Sequence, residues 1–272
     1  MTQRVGLVFF SPGSTTKKIG YEMASGLGSE QPHVFDITSF QSRAEIIENP
    51  ETITKDVDYL ILGAPVYSGK LPLQFIAVLK MIMGKGIKCC AFVVYGNRDY
   101  GIALHQMVEI LSDNKFNVVG VAAFIGQHSY SDIIPVAVGR PDKSDLDRAF
   151  EFGKNSLTSK MNIELCDVPI QLDRMSRSEK YDSIKPVHLA KECVKCGKCA
   201  KKCPLSLLSS DTGAYLTRSS KKLCIGCMAC VKACKTKARV NRVNPLVKLV
   251  IKNILKTASR ERKEPFMITQ IG

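Results

Sequence analysis

What this 272-residue chain lacks narrows its function before any motif is read. No uninterrupted apolar run approaches the roughly 18 residues needed to cross a bilayer. The opening residues MTQRVGLVFFSPGS contain no basic leader, no apolar stretch with a cleavage site and no twin-arginine signal, so a soluble, cytoplasmic protein is expected. No G-x-G-x-x-G follows an apolar run, which removes the usual dinucleotide fingerprint. No His/Asp/Glu constellation marks an acid–base centre. No helix-turn-helix pattern is visible either, so nucleic acid is not an expected partner. Acidic residues are scarce in one half: from Lys185 onward 20 Lys/Arg face 4 Asp/Glu, whereas residues 1–184 carry 19 against 21. The C-terminal part thus carries +16 and the rest −2 of the net +14, which marks a boundary between two differently built regions.

Cysteine dominates that basic part. Eight of the eleven fall in two matched runs, Cys193-x2-Cys196-x2-Cys199-x3-Cys203-Pro204 and Cys224-x2-Cys227-x2-Cys230-x3-Cys234. This is the ligand spacing of a protein with two 4Fe–4S clusters. Three closely spaced thiolates wrap one cubane, and the fourth points away to the other. One cluster is then expected on Cys193, Cys196, Cys199 and Cys234, and the second on Cys224, Cys227, Cys230 and Cys203. Structural zinc prefers two separated pairs per site, and a disulfide framework needs an oxidising compartment and usually a shorter chain. Neither suits two triples with a distant fourth. The second run departs from the common signature only in Lys235, where a proline usually follows the last cysteine. Each cubane with four thiolates carries about two negative charges, which offset about four of the sixteen excess positive ones. The remainder suits docking on an acidic redox protein.

The N-terminal part alternates apolar strands with helical stretches. Strands are expected at Arg4–Ser11, His33–Ile37, Asp58–Val66, Lys88–Gly96 and Asn117–Ile125. Helices are expected near Thr16–Leu27, Pro72–Met83, Ile102–Asn114 and Lys143–Ser159. That order implies a doubly wound, five-stranded parallel sheet over residues 1–160. A polar connector over 161–184 leads to a small α+β domain at 185–240, in which the two cysteine runs form the chain's internal repeat. Residues 241–272 are expected as a basic helix and tail. In that tail Asn244 reads as N-cap, proline follows at the first helical position, and Lys248, Lys252 and Lys256 share a face. Such a helix packs on its own protein more often than on an anionic membrane surface.

In an open parallel sheet the ligand lies beyond the C-terminal strand ends. The loop Ser11-Pro12-Gly13-Ser14-Thr15-Thr16, dense in hydroxyls and opening a helix, reads as a phosphate cradle. Pro65-Val66-Tyr67-Ser68 and Gly96-Asn97, with Tyr100-Gly101, offer amides and two tyrosines for an isoalloxazine ring. His128-Ser129-Tyr130, at the same edge, is a further candidate for the flavin edge. Cys89, Cys90 and Cys166 read as free thiols with no role in catalysis.

The segments FFSPGSTT, GAPVYSGKLP and VYGNRDYG resemble the phosphate loop and the two ring-binding loops of the flavodoxin family. With the cysteine runs downstream, the chain resembles the flavodoxin–ferredoxin fusion proteins of anaerobes. The resemblance implies FMN, a flavodoxin-like sheet and a ferredoxin-like two-cluster domain. Ser14 stands where flavodoxin loops place a glycine in a left-handed turn, and Gly13 is expected to supply that freedom one residue earlier. An electron-transfer protein is therefore expected, ahead of a flavin-dependent oxidoreductase that uses the clusters as an internal relay.

Overall fold

The computed structural model describes residues 3–160, 162–171, 184–258 and 260–269. Most of the expected connector, including DRMSRSEKYDS, lies outside the described residues. The β-branched and aromatic runs form strands β1 (Val5–Phe9), β2 (His33–Asp36), β3 (Tyr59–Pro65), β4 (Lys88–Tyr95) and β5 (Asn117–Ile125). Between and after them come α1 (Thr15–Gly26), α2 (Phe40–Glu48), α3 (Leu73–Leu79), α4 (Ala103–Asp113) and α5 (Lys143–Thr158). Helix α2 has no counterpart among the sequence expectations. The strand order is β2-β1-β3-β4-β5, parallel throughout, which is the flavodoxin-like doubly wound order.

Strand residues alternate between two apolar layers, as a pleated strand buried on both faces must. Val8, Leu60, Leu62 and Ala91 join Phe75 of α3 and Met107 of α4 on one face. Leu7, Phe9, Ile61 and Phe92 join Ile19 of α1 and Phe152 of α5 on the other. Each fully buried side chain of this kind stabilises by roughly 1.5–3 kcal/mol.

The basic half follows, with β6 (Val187–His188), α6 (Lys198–Lys201), α7 (Arg218–Leu223), α8 (Ala229–Ala233), β7 (Arg239–Val240) and α9 (Pro245–Ile254). Strands β6 and β7 pair antiparallel, Val187 against Val240 and His188 against Arg239. The Asn244 side chain caps α9 by accepting from the Val247 N–H at 2.8 Å. The helix buries Ile251 with Leu255 against Val136, while Leu246, Leu249, Val250 and Ile254 remain exposed.

The expected five-stranded sheet has a sixth strand. After α9 the chain returns to the sheet as β8 (Phe266–Ile268), antiparallel to β5, with Phe266 opposite Ala123 and Ile268 opposite Val121. Three residues in a basic tail show no usable period. They form a strand because the edge of β5 offers backbone partners and because Phe266 stacks on Tyr100, with ring centroids 6.0 Å apart. The cysteine half is thus inserted between the fifth and sixth strands of the sheet.

Candidate flavin and iron–sulfur sites

The two cysteine runs fold as copies of one another. In the first, Lys195 and Gly197 flank Cys196 with φ of 54° and 69°. In the second, Gly226 and Met228 flank Cys227 with φ of 66° and 58°. Three residues beyond the fourth cysteine the match recurs, at Ser206 (51°) and Lys237 (56°). Left-handed backbone at non-glycine residues costs of order 1–3 kcal/mol each and collects at functional sites. Here it curls each loop around its own thiols.

The placement of the fourth cysteines crosses the runs. Cys203, Cys224, Cys227 and Cys230 together line one pocket. Burial, then the nearby Cys230, Cys224 and Cys203, push the Cys227 thiol up to about 12. Cys193 and Cys199 flank Gly213: a Cβ added there would lie 3.6 and 3.3 Å from their sulfurs, so a side chain would intrude between them. Burial raises the Cys199 thiol, and the charge of Cys234 contributes in the same direction. Cys196 is exposed at the rim. Backbone N–H groups of Lys195 and Leu207 point at the sulfurs of Cys193 and Cys203, each at 3.4 Å.

Among the described residues, no three His, Cys, Asp or Glu side chains converge closely enough to hold a single metal ion. A cubane makes no such demand, because each thiolate binds a different iron at a different corner. One buried group fits the cluster reading. Arg239 is 2% exposed, donates to the Gly213 carbonyl at 3.2 Å, and its Nε and Nη2 have no hydrogen-bond partner. Its charge draws the thiol pKa values of both Cys199 and Cys230 downward, against the larger effect of burial. The guanidinium lies over the Tyr215 ring at 4.7 Å, and a buried cation between the two cysteine groups, costly alone, would be compensated by two anionic clusters held there.

At the C-terminal edge of β1, β3 and β4 lies an open cleft. Ser11, Pro12, Gly13, Thr15 and Thr16 line one end, and Pro65, Val66, Tyr67 and Gly96 another. Ser68 lines the adjoining cleft, which Val66, Tyr67 and Gly96 share. The Ser11 hydroxyl accepts from the Lys17 N–H at 2.9 Å and so caps α1 from outside. Ser14 is the formal N-cap, with φ 65° and no side-chain bond, so neither Thr15 nor Thr16 is tied up in capping. The left-handed residue is Ser14 itself, not Gly13. Thr16 is buried with its Oγ1 unpartnered, on the wall of the cleft. An unsatisfied hydroxyl at a helix N-terminus is the donor set a phosphate needs.

Three residues expected at the ring lie away from the clefts. Tyr100 is 1% exposed and packs edge-on to Tyr95 at 5.7 Å, so its ring belongs to the core. Asn97 is buried, and its amide donates to the carbonyls of Ala258 (2.8 Å) and Glu261 (2.6 Å) while accepting from the Lys263 N–H (3.2 Å). It anchors the returning tail. Gly101 is needed because its φ is +57° and a Cβ would sit 2.3 Å from the Gly69 carbonyl oxygen. None of the three lines either cleft.

His128 does line both clefts. Its Nδ1 accepts from the Tyr130 N–H at 3.0 Å, which leaves Nε2 to carry the proton. Burial, aided by the Arg98 charge, pulls its pKa down to about 4, so the ring is neutral near pH 7. The sequence did not place Cys227, expected only as a cluster ligand, or Lys232 in the cleft wall, because both arrive from the other half. Cys89 and Cys90 are buried in β4, where burial raises both thiols and Cys90 reaches about 12. Cys166 is exposed.

Residues 192–239 match the family of 4Fe-4S dicluster domains. No curated protein matches the chain. Solved structures similar to it include an archaeal flavodoxin, with 15% identity over 57% of this chain and 96% of that one at a TM-score of 0.41. Oxidised flavodoxin 2 from Bacillus cereus shows 16% identity over 55% of this chain and 94% of its own, at a TM-score of 0.40. The apo form of an NADH:FMN oxidoreductase shows 21% over 58% and 92%, at 0.44. By strand order and by this family match, the chain joins a flavodoxin-like sheet to a 4Fe–4S dicluster domain and is an iron–sulfur redox protein.

Proposed function

We propose that the chain is an electron-transfer protein, passing electrons between FMN in the cleft at the sheet edge and two 4Fe–4S clusters, and on to a redox partner. One observation carries this reading. Cys227 belongs to the walls of both the flavin cleft and the cavity it shares with Cys203, Cys224 and Cys230. On this reading a ligand of one cluster borders the flavin site directly.

FMN supplies a centre that takes two electrons and releases them singly, and each cluster carries one at a time. Ser11, Thr15 and Thr16 would hold the phosphate, with Tyr67 and the Gly96 backbone against the ring. His128 presents a neutral N–H donor to the same cleft. The crossed set Cys203, Cys224, Cys227 and Cys230 would hold the cluster next to the flavin. Cys193, Cys196, Cys199 and Cys234 would hold the outer one. The outer loop carries Val194, 66% exposed, among exposed Lys191, Lys195, Lys198, Lys201 and Lys202. An apolar tip ringed by lysines suits brief docking of an acidic redox protein over the outer cluster.

The test is an anaerobic reductive titration of the protein purified without air, followed by absorbance with iron and flavin counted in the same sample. The reading expects about eight irons, one FMN and about four electrons per chain. Eight irons with no flavin and two electrons would remove the flavin half of it.

A further inference from the structure

Lys232 is in α8 of the cysteine half, between Cys230 and Cys234, yet it lines the phosphate end of the flavin cleft. Its Nζ lies 3.8 Å from where a Cβ on Gly13 would sit. Among the described residues lining that cleft there is no Asp or Glu, and Lys232 supplies the only formal charge. It has no ion-pair partner among the described residues. The same end holds the N-terminus of the twelve-residue α1 and the buried, unpartnered Thr16 Oγ1. An exposed lysine lining an acid-free cleft, with its Nζ near Gly13 and beside a helix N-terminus and an orphaned hydroxyl, is arranged for an anion.

We propose that Lys232 is a ligand of the FMN phosphate, contributed across the seam by the cluster half. The proposal rests on the reading that the cleft holds FMN. A phosphate monoester carries close to two negative charges at pH 7. The loop residues Ser11–Thr16 offer hydroxyls and amides but no cation of their own, so Lys232 provides the charge they lack. Because α8 also bears Cys230 and leads into Cys234, the phosphate would tie the flavin site to the cluster loops. FMN would then bind tightly only when the two halves are assembled, and the flavin edge would be held against Cys227.

The experiment compares FMN with riboflavin, which lacks the phosphate, on the full anaerobic chain with its clusters in place. Flavin fluorescence quenching reads the affinity of wild type, Lys232→Met and Lys232→Arg. Loss of one charge-assisted contact should weaken FMN about ten- to a hundredfold in Lys232→Met. Riboflavin binding should stay within about twofold, and Lys232→Arg should recover most of the FMN affinity. An unaltered cluster absorbance in Lys232→Met separates the effect from misfolding. Equal FMN affinity in Lys232→Met and wild type overturns the proposal while leaving the flavin site intact. Equal weakening of FMN and riboflavin also overturns it, since the lysine would then shape the cleft and not meet the phosphate. Failure of wild type to bind either flavin overturns the proposal together with the reading it rests on.

Discussion

The guanidinium of Arg43 donates to the carbonyl of Pro204 at 2.6 Å, across the seam between the sheet and the end of the first cysteine run. The same side chain donates to the carbonyls of Ile37 (3.1 Å) and Thr38 (2.8 Å) and sits over the Phe10 ring at 5.7 Å. It is buried, and burial lowers its pKa while the charge of Cys203 partly restores it. One arginine thus joins the loop after β2 to the exit from Cys203. Arg43→Met leaves three carbonyls without this donor and should cost about 3 kcal/mol or more. Urea unfolding measures it, with Arg43→Lys expected in between. A cost below about 1 kcal/mol would mean the seam is held elsewhere.

The crossing of the fourth cysteines gives a swap that local ligation does not. Cys203→Ser should damage the cluster wrapped by the second run, and Cys234→Ser the one wrapped by the first. Electron paramagnetic resonance of the reduced variants distinguishes the two centres. If each substitution removes only the cluster of its own run, the crossing is wrong.

The neutral His128 makes stability depend on acid. In the unfolded chain this group titrates near 6.5, and in the fold near 4. Between those values the unfolded chain binds the extra proton, so the fold is fully favoured above about pH 6.5 and loses stability as pH falls to 4. The loss reaches about 3 kcal/mol at most. His128→Asn keeps an acceptor for the Tyr130 N–H and should flatten that part of the stability profile. Parallel wild-type and variant profiles between pH 6.5 and 4 would show that His128 is not the titrating group.

Electrostatic docking should respond to salt. The Debye length falls from about 10 Å at 0.1 M to about 3 Å at 1 M. Electron exchange with an acidic carrier protein should therefore slow markedly over that range, while exchange with a neutral dye should barely change. Charge reversal at Lys201, Lys202, Lys221 and Lys222 should reproduce the salt effect without added salt. If reversal instead shifts the cluster potentials and exchange is insensitive to salt, those lysines balance cluster charge within the fold.

Much of this structure was legible because it is written in local patterns. The continuous apolar runs Val5–Phe9 and Tyr59–Pro65, and the spacing of Cys193 to Cys203, act over a few residues. Gly213, Arg239 and Lys232 were not legible, since each matters through neighbours distant in sequence. Tyr100 and Asn97 sit in a loop of the right composition, but Phe266 and the Ala258–Lys263 segment return to occupy them. Ser14 shows a different limit: composition asks for glycine at a left-handed position, yet serine takes φ 65° there. Thr16, whose orphaned hydroxyl marks the cleft, was visible only as one of four hydroxyls in a row.

The central claim is that flavin and clusters exchange electrons within one chain, through the cluster bordered by Cys227. Photoreduction of the flavin in oxidised protein, followed by absorbance of the flavin and clusters, tests it directly. The expected result is a first-order transfer whose rate is unchanged over a tenfold range of protein concentration, because the centres would be adjacent within one chain. Cys203→Ser should remove this phase. A rate that rises in proportion to protein concentration would mean that the flavin passes electrons between molecules, which contradicts transfer within one chain.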